Sequence, residues 1–138
     1  MKKKWIFAIL IVLLLSLLII FKPWGSKPFK DLSANEIISV SVELMPPNKM
    51  LDLNESDITE LVEILRTVVI YNKVAKIPLA GQSVIYTITK SDGTILKILP
   101  MGDLMQIGFD VTNGTRFKAK YESSEELNSF ANRLLADK

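Results

Sequence analysis

The chain has 138 residues, no cysteine and no histidine, and 17 Lys and Arg against 15 Asp and Glu for a net charge of +2. Without thiols there are no disulfides, cysteine nucleophiles or thiolate metal sites. Without imidazoles the commonest general base and the commonest transition-metal ligand are missing, which argues against Ser-His and Cys-His hydrolases and against zinc enzymes.

Residues 1–4 read as a short basic tail carrying Lys2, Lys3 and Lys4. From Trp5 to Phe21 the chain then runs 17 residues with Ser16 as the only polar side chain. Its Leu, Ile, Val and Phe residues each favour a bilayer centre by roughly 0.3 to 0.6 kcal/mol, and no charge opposes them. The run predicts a transmembrane anchor over residues 5–21, about 25 Å long as a helix. A cleaved signal peptide is the rival reading, but the apolar core is longer than usual and no small-residue cleavage pattern follows it. Lys2, Lys3 and Lys4 favour a cytoplasmic N-terminus, while Trp5 and Trp24 suit the two interfaces. The expectation is a single-pass protein of the cell membrane with its C-terminal domain outside the cytoplasm.

Residues 22–35 read as a linker, marked by Pro23, Gly25 and Pro28. Six lysines fall within residues 1–30, so residues 31–138 hold eleven Lys and Arg against fifteen Asp and Glu. The basic isoelectric point therefore belongs to the N-terminal region, and no nucleic-acid partner is implied. Residues 36–138 form one domain, long enough to bury a core without disulfides or metals.

Ile38, Val40, Val42 and Leu44 alternate with polar residues and predict a half-buried strand ended by Pro46-Pro47. Asn54 is positioned to cap a helix with Glu55 and Asp57 in its first turn. Ile58, Leu61, Val62 and Leu65 supply that helix's apolar stripe. β-branched and aromatic residues from Val68 to Tyr71 predict a strand, followed by a loop through Pro78 and Gly81. Val84 to Lys90 and Ile95 to Leu99 predict a hairpin through Asp92-Gly93. Leu104 to Phe109 and Thr115 to Tyr121 predict another through Asn113-Gly114. Ser123 and Glu126 have capping-box spacing, and Leu127, Phe130, Ala131, Leu134 and Leu135 form the stripe of a last helix.

The expected fold class is α+β: a mostly antiparallel sheet of about five or six strands, two helices on one face, the other face wet, and a single transmembrane helix in front. The segments Ile58–Tyr71 (ITELVEILRTVVIY), Gly81–Thr94 (GQSVIYTITKSDGT) and Tyr121–Leu134 (YESSEELNSFANRL) resemble a family of small membrane-anchored or secreted proteins of Gram-positive bacteria. That resemblance implies a fold class and an envelope address, with no assigned activity and no site residue.

Arg116, Lys118 and Lys120 alternate with Phe117, Ala119 and Tyr121, which would line the outer sheet face with cations. The plainer account is a strand edge kept soluble by lysines. Beside them, Ile85, Ile95 and Leu99 with Lys97 should face outward and could form a docking surface, although scattered exposed apolar residues are ordinary. No catalytic, cofactor-binding or metal-binding residue is predicted: Glu55, Asp57, Glu60 and Glu63 fit helix-surface roles, and Asp103, Asp110 and Asn113 lack calcium-loop spacing. The expected function is non-enzymatic, a tethered extracytoplasmic domain binding an envelope protein, an anionic lipid or a wall polymer, with the bilayer itself a partner through residues 5–21. The alternatives are a carboxylate- or Ser-Lys-based envelope enzyme and a cleaved secreted domain.

Overall fold

A computed structural model describes residues 2–21, 25–45, 48–75, 83–108 and 114–136. The Pro78–Gly81 loop, Asp110 and Asn113 lie outside them. Three helices and seven strands follow the order α1 (Lys2–Phe21), β1 (Ile37–Met45), β2 (Lys49–Asp52), α2 (Glu55–Arg66), β3 (Ile70–Lys73), β4 (Ser83–Lys90), β5 (Ile95–Met101), β6 (Leu104–Gly108), β7 (Thr115–Ala119) and α3 (Tyr121–Ala136). A short 3-10 turn, Ala34–Glu36, leads into β1.

Helix α1 overturns the expected anchor. Among the described residues no helix is long and apolar enough to cross a membrane, which removes the transmembrane, signal-anchor and single-pass reading. The physical reason is length: Lys2, Lys3 and Lys4 occupy the first turn. The apolar remainder, residues 5–21, extends about 25 Å against a hydrocarbon core of about 30 Å. From Trp5 to Ile19 every large apolar side chain is at least 38% exposed, so α1 shows apolar surface on all sides.

The expected linker is not a free spacer. Gly25 is buried, and Ser26 pairs with Ile70 through backbone bonds of 2.8 and 2.9 Å in the two directions. Phe29 and Leu32 are buried in the domain core. Gly25 makes this docking possible. Its φ is +77°, and a Cβ there would lie 2.6 Å from Val69 Cγ1 and 2.8 Å from the Ile70 carbonyl oxygen. Only glycine accepts both that backbone and that proximity without strain.

The sheet is larger than expected, with seven strands in the order β2-β1-β4-β5-β6-β7-β3 and every pairing antiparallel. The unforeseen strand is β2, whose four residues Lys-Met-Leu-Asp carry too little pattern to announce themselves. Asp92-Gly93 turns β4 into β5: the Asp92 carboxylate accepts the Thr94 N–H at 2.9 Å, while Gly93 takes φ +88°. Hydrogen bonds from Thr94 hold the Asp92 carboxyl below the usual carboxylate range. Gly102, at φ +63°, turns β5 into β6.

Asn54 caps α2 by accepting the Asp57 N–H at 2.8 Å. Helix α3 begins before the expected box, at Tyr121, which places Ser123 and Ser124 inside the helix and buries both. Ser123 Oγ instead accepts the Val69 N–H at 3.2 Å, and Ser124 Oγ donates to the Leu104 carbonyl at 3.2 Å. The two serines rivet α3 to the segment before β3 and to β6. Leu61, Leu65, Leu127, Phe130 and Ala131 pack with Val40, Val42, Tyr86, Ile88, Ile98 and Met105 in one core between helices and sheet. Burial of each large apolar side chain contributes about 1.5–3 kcal/mol.

Candidate functional site

Side chains alternate along each strand, so the residues between the core positions share the sheet's second face. Register places Glu43 opposite Ile85, Leu99 opposite Gln106 and Gln106 opposite Arg116. Continuing the β4–β5 register sets Ile85 beside Leu99. Ile85, Leu99, Gln106 and Arg116 thus form one row across the sheet, and none exceeds 4% exposure.

That row corrects the expected docking surface. Ile85 and Leu99 are buried rather than exposed, and Arg116 is buried with its guanidinium donating to Gln106 Oε1 at 3.2 Å. The centre of the second face is therefore dry. Simple alternation foresees the direction in which these residues point. It fails on their burial, because it assumes that a face turned away from the helices meets water.

The other expected residues remain accessible and separate around the row. Ile95, 44% exposed, lies at the hairpin end. Lys97 is half-buried, opposite Thr87 and Gly108. Lys118 is exposed opposite Leu104, and Lys120 is exposed just past the end of β7. Leu99 pairs onward to Arg116, so Lys97 and Lys118 lie two residues to either side of the row, on the order of 13 Å apart along the strand direction. Lys118 and Lys120 form a pair of neighbouring cations, and Lys97 stands apart from them.

The helix layer carries the opposite sign. A cleft of about 540 Å³ lies between α2 and α3, lined by Ile64 and Phe130 together with Glu60, Glu122, Glu125 and Glu126. Arg133 crosses this cleft, ion-paired with Glu60 and 5.3 Å above the Phe130 ring centroid. Cation–π contact at an exposed site contributes about 0.5–1 kcal/mol, and exposed ion pairs contribute little more. The stripes of α2 and α3 were readable in the sequence. Their adjacency, which brings Glu60 toward Glu122 and Glu126, was not.

Among the described residues no group of three or more acidic side chains is arranged to hold a metal ion. Tyr86 is the one described group whose pKa burial drives strongly upward, and its hydroxyl is spent on the Leu127 carbonyl. Comparison with family models, with curated proteins and with solved structures finds no match to this chain.

Proposed function

We propose that the domain is a non-enzymatic binding module that takes an anionic, phosphate-rich partner against Lys118 and Lys120 on the sheet side. The observation that carries this reading is the pair of exposed, neighbouring cations Lys118 and Lys120. They sit on β7 and just past its end, with Asp103 as their neighbouring carboxylate, whereas Glu60, Glu122, Glu125 and Glu126 line the helix cleft with Arg133 among them. Two adjacent exposed cations attract an anionic polymer, and the glutamate-lined cleft disfavours it. Arg116 supports that face from within, since its guanidinium is buried with Gln106, and it is not a contact residue in this reading.

The test is retention of the full-length chain on immobilised inorganic polyphosphate across a salt gradient. Lys118→Glu with Lys120→Glu should elute at clearly lower salt than the unsubstituted chain, while Glu122→Gln with Glu125→Gln should not. Equal retention of the double charge reversal sinks the proposal.

A further inference from the structure

The two edges of the sheet are finished differently. At the start of β3 the edge is capped by an isolated bridge to Ser26, whose N–H and C=O both bond to Ile70. Strand β2 ends the sheet on the other side with no described strand beyond it. Its residues Lys49, Met50 and Asp52 are exposed, Met50 to 67%.

The direction of its free backbone groups follows from the ladder. Leu53 donates its N–H to the Val40 carbonyl at 2.9 Å, and the register continues as Leu51 opposite Val42 and Lys49 opposite Leu44. Hydrogen-bonded and non-bonded pairs alternate in an antiparallel ladder. Lys49, Leu51 and Leu53 therefore spend their backbone groups on β1, and Met50 and Asp52 turn theirs outward. Such a row is recognised by another extended backbone.

We propose that the occupant is a second copy of this chain, paired β2 to β2 in antiparallel fashion about a twofold axis through Leu51. A twofold perpendicular to the sheet keeps both helix layers on one side and requires opposed residues to share a face. Centring on Leu51 meets that condition. It sets Met50 opposite the partner's Asp52, and Asp52 opposite the partner's Met50. Every outward N–H and C=O of the two residues then has a counterpart. The two Leu51 side chains meet on the helix side, where Leu51 already packs against the core. Two four-residue strands bury far less than the roughly 1,200 Å² of a stable interface, so the pairing is weak and concentration-dependent.

The absence of native cysteine gives a direct test in the full-length chain. A non-hydrogen-bonded antiparallel pair brings its Cα atoms to about 4.5 Å, within disulfide range. Under mild oxidation Leu51→Cys should form a disulfide-linked dimer, whereas Met50→Cys and Lys97→Cys should give only background. Adding Asp52→Pro to Leu51→Cys removes an outward N–H and should abolish that dimer without changing the circular dichroism spectrum. Hydrogen exchange on the unsubstituted chain supplies a second readout that needs no replacement of Leu51: the Met50 and Asp52 amides should gain protection as protein concentration rises. Cross-linking at Lys97 equal to that at Leu51 would show random collision through α1 and overturn the proposal. Protection of the two amides that never changes with concentration, whether from no partner or from a foreign strand, would overturn it as well.

Discussion

The Tyr86 hydroxyl, on the interior strand β4, donates to the main-chain carbonyl of Leu127 in the middle of α3. One phenol from the sheet is thus joined to the main chain of the helix. Tyr86 is fully buried, and a buried hydroxyl needs a partner. The contact therefore fixes the height at which α3 rests on the sheet as well as satisfying the phenol.

Tyr86→Phe should lower unfolding free energy by about 1 kcal/mol, because the Leu127 carbonyl and Ala131 N–H can still bond to each other. Burial pushes the phenol far above its ordinary value, with hydrogen bonding from Ala131 and the Arg133 charge opposing weakly. A raised folded-state pKa means that the neutral form is the one folding favours. This contribution is complete below the unfolded value of about 10 and is lost as pH climbs above it. Urea unfolding between pH 9 and 11 should show the wild-type chain weakening more steeply than Tyr86→Phe. Parallel curves would refute the linkage.

Ser123 and Glu126 separate two accounts of how α3 begins. If they formed a capping box, replacing either would cost similar amounts. The structure instead places Ser123 against the Val69 N–H and leaves Glu126 exposed. Ser123→Ala should destabilise by about 1–2 kcal/mol, since it strands a part-buried donor, and Glu126→Ala should stay within about 0.5 kcal/mol of the parent. Equal losses in chemical denaturation would restore the capping box.

The fold was legible in the sequence to the extent that each signal was local. The stripes Ile58-Leu61-Val62-Leu65 and Leu127-Phe130-Ala131-Leu134 announce α2 and α3 because both the pattern and its cause lie within a few turns. Asp92-Gly93 announces its hairpin for the same reason. Strand β2 exists only through pairing with β1, and the Lys49–Asp52 sequence carries no alternation strong enough to imply it. Burial of Ile85, Leu99 and Arg116 is likewise a tertiary outcome. Alternation puts them on the second face, but nothing in their neighbours says that this face is dry. The fastening of residues 25–32 was hidden because Gly25 and Pro28 look like a spacer. Their role appears only once Gly25 is set against Val69 and Tyr71.

Gly25→Ala tests that fastening. A left-handed backbone costs an alanine about 1 kcal/mol, and the new Cβ would also press on Val69 Cγ1, the Ile70 carbonyl and Tyr71 Cε1. Overpacking of this kind adds about 1–3 kcal/mol. Residues 25–32 should detach, exposing Phe29 and Leu32. Faster amide exchange at Ser26 and Ile70, with β4 and β5 unaffected, is the expected result. Unchanged exchange at those two amides would show that the bridge does not depend on glycine.

Helix α1 raises a different question, because its exposed apolar surface has no counterpart in the described structure. Trp5, Phe7 and Leu14 are 73%, 70% and 62% exposed, and residues of the same kind surround them on every side. An exposed apolar face of this extent requires cover by another apolar surface and drives association when none is offered. The folded domain draws its core from residues 29–135 and none from α1. Removing residues 1–21 should therefore leave the thermal midpoint within a few degrees of the parent, since that scale corresponds to about 1 kcal/mol for a domain of this size. It should also convert a self-associating chain into one that sediments mainly as a monomer at low concentration. A large fall in the thermal midpoint would show that α1 stabilises the domain, and unchanged self-association would place the sticky surface elsewhere.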